Sequence, residues 1–296
     1  MPPDYNQSEQ RARRSASIWI VGVLILGSVS AFALLKSDDS NQHNLPDTAI
    51  LNPAMLLDAK QRVADGQAKV ALDTLLARAE AFLEAPIVSV MDKEIEPPSG
   101  DFHDYITLAP YFWPNPDTPD GLPYIKRDGE LHEPNRSGTD FYTRAQMEEG
   151  VITLGVAFYL TDDQKYANGA ATRLRTWFLD PETRMNPNLN FAQGVPGIMD
   201  GSLWGIIETW RWTAIVDIIN LIGSSDEWTE DDARGMQQWF DDYQVWLRTS
   251  ELGFDESLMW NNHGSFYDSQ VAYLALHAGK PEIARDILLE ARNRRI

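Results

Sequence analysis

The chain has 296 residues, 43% of them hydrophobic and ten of them tryptophan, enough to bury a sizeable core in one large domain or two smaller ones. With 25 Lys and Arg against 44 Asp and Glu it carries a formal charge of -19, which argues against nucleic acid or an anionic membrane surface as a general partner and admits a polyanion only over a locally basic groove. Cysteine is absent, which excludes disulfides and thiolate metal sites.

Residues 1–16 read as a basic cytoplasmic segment: Arg11, Arg13 and Arg14 precede Ser17 to Leu35, a nineteen-residue run without charge. Such a run is long enough to span a bilayer, and its basic flank would stay in the cytoplasm. Ala31-Phe32-Ala33 also fits a small-residue cleavage site, so 17–35 is a signal peptide or a membrane anchor. Both readings place the remainder outside the cytoplasm, in the periplasm, soluble after cleavage or held at the inner membrane by its N-terminus. Residues 36–50, rich in Asp, Ser, Asn and Gln, read as a polar linker.

From residue 51 to 296 the pattern is helical. Ala54 to Leu83 carries apolar residues at roughly helical spacing, interrupted near Gly66, as two helices or one kinked helix would. Later helices are expected in pairs: Arg144–Tyr159 with Asp163–Phe178, Ser202–Ile222 with Glu230–Leu247, and His263–His277 with Pro281–Arg294. Thr161-Asp162, Thr229 with Asp232, and Pro281 supply start signals. No segment alternates at strand period, so the domain is expected to be all-α, and antiparallel hairpins starting about sixty residues apart suggest a barrel or toroid. The final residues lie inside a helical pattern without a Gly or Asn cap, as in a fragment of a longer chain.

Two loop regions carry recognition chemistry. The first, 95–138, is dense in Pro, Gly, Asp and rings; Tyr105, Tyr111 and Trp113 are of the kind that stacks on sugar faces, though packing onto the helices fits them equally. His103 either meets substrate or hydrogen-bonds the loop. In the second, 180–201, Asn186 and Asn188 flank Pro187 and read as turn builders, whereas Asn190 and Gln193 suit hydroxyls and carboxylates. Trp204 and Arg211 fall on the helix that follows, with Arg211 able to reach a carboxylate.

The densest chemistry lies in Met259-Trp-Asn-Asn-His-Gly-Ser-Phe-Tyr-Asp268. An Asn pair is a good helix start, which puts Asn262 and His263 in a first turn and Tyr267 on the same face one turn later. Neutral amide donors at a helix N-terminus suit a bound carboxylate, and an imidazole beside them suits abstraction of the proton alpha to it. The plainer alternative is that Asn262 caps the helix and His263 fills space. No spacing of His, Asp and Glu has the form of a metal site, and no metal or cofactor is expected.

Three ordered runs, Pro97-Pro-Ser-Gly-Asp-Phe-His-Asp-Tyr-Ile-Thr-Leu-Ala-Pro-Tyr-Phe-Trp-Pro114, Trp177-Phe-Leu-Asp-Pro-Glu-Thr-Arg-Met-Asn-Pro-Asn-Leu-Asn-Phe-Ala-Gln193 and Asn261-Asn-His-Gly-Ser-Phe-Tyr-Asp268, resemble the alginate lyase domain of bacterial polysaccharide lyases. The resemblance runs from about Leu57 to the end. It implies an incomplete (α/α) toroid and β-elimination on a uronic acid polymer such as poly-mannuronate, with Asn262 neutralising the substrate carboxylate and His263 acting as the base or assisting it. It also implies a catalytic Tyr and Arg on a later hairpin, which this chain does not reach. Taken together, the catalytic residues are expected to be Asn262 and His263. The substrate-binding ones are His103, Tyr105, Tyr111, Trp113, Asn190, Gln193, Trp204, Arg211 and Tyr267, in a monomer acting on an acidic polysaccharide. Two other readings stay open: a glycoside hydrolase on an α/α toroid, using carboxyl groups such as Asp101, Asp104, Asp200 and Glu208, and a carbohydrate-binding fragment without turnover.

Overall fold

The computed structural model describes residues 45–295. The basic segment, the apolar run at 17–35 and most of the polar linker lie outside the described residues, and among those described no helix is long and apolar enough to cross a membrane. The protein is mostly helical, with 59% helix and 5% strand. The chain divides into two compact units, one ending at Ala68 and one beginning at Lys69.

In the first unit helix α1, Pro53–Ala64, starts on Asn52, whose side chain accepts a hydrogen bond from Met55 N at 3.0 Å, with Pro53 set where no donor is needed. Gly66, at φ 71°, sits in the left-handed region just past its end. The break expected near Gly66 is therefore a true separation, and the next helix, α2, runs Lys69–Glu84 in the second unit.

Within the second unit the long helix α3, Asp140–Thr161, is the structural centre. Thr139 caps it, and Asp162, at φ 57°, ends it by donating its N–H to Phe158 O at 2.7 Å. Met147, Val151, Leu154 and Phe158 form a helical stripe that is almost wholly buried. α4, Gln164–Leu174, folds back on α3 from its cap Asp163. Where a single helix to Phe178 was expected, α4 gives way to a π turn at Arg175–Leu179. The turn presents both Trp177 and Phe178 to the interior while Arg175 grips Asp232 through two hydrogen bonds of 2.8 and 2.7 Å.

The next expected helix also divides. Leu203–Thr209 is a 3-10 segment, and α5 proper is Trp212–Ile222, with Arg211 at its N-cap. Gly205 is the reason for the close path: a Cβ there would lie 2.3 Å from Ala192 Cβ. α5 packs on α3, where Gly155 admits Ile218 at a distance that no side chain would allow. α6, Glu230–Thr249, opens on a capping box between Thr229 and Asp232, followed by α7, Glu251–Ser257, α8, Asn262–His277, and α9, Pro281–Arg295. α8 and α9 form an antiparallel pair, and α6 lies across α8.

Short strands accompany the helices without changing the mostly helical class that was expected. β1, Ile106–Leu108, pairs in parallel with β4, Phe191–Gly194, and β2, Phe112–Trp113, pairs antiparallel with β3, Ile125–Lys126. They are two to four residues long, too short for alternation to show in sequence. Asp140 ties β1 to α3 by accepting from Ile106 N at 2.8 Å and pairing with the buried Lys93 at 3.3 Å.

The core of the second unit is aromatic. Phe178, Trp212, Trp239, Phe240 and Tyr243 meet with ring centroids from 4.7 to 6.5 Å apart, mostly edge to face. His277 touches this cluster edge-on at Phe240, 5.6 Å away, and its Nε2 is buried without a partner among the described residues. Burial pushes its pKa down from 6.5 to about 4. At neutral pH the ring is uncharged in folded and unfolded chains alike; as pH falls from 6.5 towards 4 only the unfolded chain takes the proton, so stability is lost across that window. The loss is expected to reach about 2–3 kcal/mol, from about 1.4 kcal/mol per pKa unit. Urea denaturation of His277→Leu at pH 7 and near pH 4 checks this: the drop in stability should shrink by about 2 kcal/mol, and an unchanged drop refutes it.

Candidate active site

The start of α8 builds one half of the site. Asn261, not Asn262, is the cap: its side chain accepts from His263 N at 3.0 Å, which leaves Asn262 as the first helical residue, exposed to solvent. Gly264 follows because nothing larger fits. A Cβ there would lie 1.9 Å from Met259 O, and Arg295 fills the adjoining space, bonded to Asp268 at 2.9 Å and to the carbonyls of Met259, Ser257 and Gly264. The helix start is thereby clamped, and His263 keeps 20% of its side chain accessible.

The partner of His263 is one that sequence reasoning missed. Glu256, at the end of α7, has its side chain fully buried and its Oε1 2.7 Å from His263 Nδ1. Burial raises its pKa, opposed by the His263 hydrogen bond. No sequence signal marks it, since it lies seven residues from His263 on a separate helix beside the equally acidic Asp255.

Tyr267, expected to meet substrate, is instead a packing residue, 4% exposed, with its hydroxyl donating to Leu247 O at 3.0 Å. Burial pushes its pKa up to about 12, so it is a phenol held neutral inside the fold. One helical turn from His263 turns out to be one turn deeper into the α6–α8 contact.

The other half of the site is the β1–β4 pair and the 3-10 segment. Tyr105 is fully buried, which corrects the expectation that it meets substrate. Its hydroxyl donates to Glu208 Oε2 at 2.8 Å and accepts from Arg144 Nε at 3.0 Å, while Arg144 pairs with Glu148 at 2.7 Å. Burial raises the Tyr105 pKa further above its ordinary range. Glu208 accepts in addition from Thr107 Oγ1 at 2.9 Å and from Gln193 Nε2 at 3.0 Å. Gln193 is the group this network delivers to the surface. It is half-buried, its backbone sits at φ 47°, unusual for a residue with a side chain, and its N–H donates to Thr107. With its amide nitrogen committed to Glu208, its carbonyl oxygen is left as an acceptor.

The two halves are joined by the 3-10 segment. Thr209 donates to Gln270 of α8 at 2.7 Å, Gln270 donates back to Ile206 O at 3.2 Å, and the rings of Trp210 and Phe266 lie 5.5 Å apart. The remaining expected residues occupy the loops. His103 is half-buried with Nδ1 2.6 Å from Arg184 O, which requires Nδ1 to carry the proton. Asn186 and Asn188 tie the two loops by donating to Asp104 at 2.8 and 3.2 Å, consistent with turn building. Asn190 accepts from Trp246 Nε1 at 3.0 Å. Tyr111 is 41% exposed, and Trp204 stacks on Phe112 at 6.1 Å. The Trp113 ring has the Arg127 guanidinium carbon 4.9 Å and the His132 ring 4.3 Å from its centre. Arg211, half-buried, has no carboxylate partner among the described residues. Of the acids a hydrolase would need, Asp104 and Glu208 are buried and each saturated by three donors, so neither faces a glycosidic bond. Among the described residues no group of three metal-binding side chains is present.

The family model for alginate lyases, described as "Alginate lyase", matches residues 89–296. The chain belongs to the alginate lyase family. The matched region takes in both halves of the site, from ahead of β1 through α9. A solved structure described as an alginate lyase from Bacteroides ovatus is 36% identical, with a TM-score of 0.82 over 85% of this chain. The match covers 66% of that protein, so the alginate lyase family member described here spans just under two thirds of its solved relative. Among curated proteins no match was found.

Proposed function

We propose that the protein is a polysaccharide lyase that cleaves a uronic acid polymer, alginate or a related polyuronate, by β-elimination. The observation that carries this reading is an exposed amide, Asn262, next to an imidazole whose Nδ1 is held by a buried carboxylate, at the positive end of a helix. Asn262 hydrogen-bonds the substrate carboxylate and stabilises the negative charge that spreads onto it when the C5 proton leaves. His263 accepts that proton. The electron pair of the C5–H bond becomes the C4–C5 double bond, the C4–O4 bond breaks with O4 taking a proton from water, and His263 returns the C5 proton to the hydroxide left behind. Family membership and the solved relative's description as an alginate lyase support the substrate class.

Gln193, Asn190, His103, Tyr111, Trp113, Trp204 and Arg211 are proposed to line the path of the polymer, with Arg211 supplying a positive charge that the acidic chain otherwise holds in short supply. The hairpins α3–α4 and α8–α9 are proposed to belong to an incomplete (α/α) toroid, and the chain to be exported to the periplasm by the segment at 17–35 and to act as a monomer. N-terminal sequencing of the mature protein tests the export: an intact Met1 in a cytoplasmic fraction refutes it.

The test of function is optical. On poly-mannuronate, poly-guluronate or poly-glucuronate the enzyme is expected to release products that absorb in the ultraviolet through the new double bond. Chain shortening without that absorbance identifies a hydrolase, and binding without shortening identifies a carbohydrate-binding protein.

A further inference from the structure

We infer that Glu256 is a positioning residue that fixes which ring nitrogen of His263 takes the substrate proton. The inference rests on the lyase reading for its chemical consequence, but the geometry stands apart from it. α7 exists to hold this carboxyl group in place. Ser250 caps the helix by accepting from Gly253 N at 3.0 Å, and Gly253 is pressed so closely on the end of α6 that a Cβ would lie 1.9 Å from Leu247 O. The helix then packs on both the 3-10 segment and α8, and brings Glu256 Oε1 to 2.7 Å from Nδ1 of His263.

Glu256 is an expensive residue to keep there. Its side chain is fully buried, and of its two oxygens only Oε1 has a partner among the described residues, the Nδ1 of His263; Oε2 has none. A buried carboxyl group satisfied on one side only contributes little to stability, and an apolar residue of the same shape would hold α7 against α8 as well or better. Its chemical effect on the imidazole is specific, because an ionised carboxylate can only accept. Nδ1 must then carry the hydrogen, and Nε2 is left with the lone pair that a base requires. When His263 takes a proton at Nε2 the ring becomes an imidazolium lying against a carboxylate, so the charge formed is compensated without moving any group. The opposite arrangement, a protonated Glu256 donating to Nδ1, would leave the hydrogen on Nε2 and no base facing out. Burial favours protonation of Glu256 and the His263 hydrogen bond opposes it, so the tautomer is the quantity to measure.

The experiment pairs nitrogen-15 NMR of the labelled wild-type imidazole with kinetics of Glu256→Gln on the polyuronate that the wild-type cleaves. The expected results are His263 in the Nδ1–H form at neutral pH, and a kcat lower by about 100-fold in the variant with KM changed by less than about threefold and the melting temperature retained. A residue that merely joins two helices would change the melt and leave the tautomer free. Nε2–H in the wild-type, or a folded variant with kcat within about threefold of wild-type, overturns the inference. Should Glu256→Gln fail to fold, the wild-type tautomer alone decides. A wild-type that yields no ultraviolet-absorbing product from any polyuronate refutes the lyase reading and leaves the tautomer measurement intact, so the two failures are told apart.

Discussion

Replacing His263 by alanine is expected to lower kcat on a polyuronate by about 10³-fold, the scale of a lost general base. His263→Ala also leaves the Glu256 carboxyl group buried without the one hydrogen bond it makes among the described residues, so part of any loss of activity would come with a loss of stability. His263→Gln separates the two effects. Its amide can still donate towards Glu256 but cannot serve as a base, so activity should fall as far as in the alanine variant while the melting temperature stays near that of wild-type. Asn262→Asp provides the electrostatic counterpart: a carboxylate where the neutral donor stood repels the substrate's own carboxylate, and kcat/KM should drop by about 10²–10³-fold with almost no change in stability, because the side chain is exposed. Initial rates followed by ultraviolet absorbance, beside thermal melts, check all three. A His263→Gln enzyme within tenfold of wild-type, by order of magnitude, would exclude His263 as the base.

Trp212→Ala is expected to remove about 4 kcal/mol of stability, the usual cost of deleting a fully buried indole. Trp212 is 0% exposed and meets Phe178, Trp239, Phe240 and Tyr243 within 6.5 Å, so the cavity would open at the junction of the π turn, α5 and α6 with no flexible side chain to close it. Such a loss is a large share of the roughly 5–15 kcal/mol that holds a domain together. Trp212→Phe should cost much less. Phenylalanine retains most of the edge-to-face contacts and removes the indole N–H, which is buried without a partner among the described residues. Urea midpoints at unchanged m-value measure both, and equal costs for the two variants would show that the N–H rather than the ring area is what Trp212 contributes.

Local chemistry, read along the chain, determined the helices and the place of the Asn262-His263 pair at a helix start. Caps, breakers and apolar spacing act over a few residues, so the ends of α6, α8 and α9 to within two residues, an interruption near Gly66, and a helix start at the Asn261-Asn262 pair were legible in the sequence, whereas α3 begins at Asp140, four residues before the Arg144 expected. Only the tertiary structure decided what those residues touch. The period that puts Tyr267 on the face of His263 does not reveal that this face turns inward one turn later, where Leu247 O meets the phenol. Tyr105 reads like any loop aromatic until Arg144 and Glu208, each more than thirty residues away in sequence, close around it. The 3-10 segment at 203–209 has helical composition, and close approach of Gly205 to Ala192 makes it something else. Glu256 is the sharpest case: a carboxyl group has no preferred sequence distance from the imidazole it orients, because the contact is set by how α7 lies on α8, and that is a property of packing rather than of any stretch of chain.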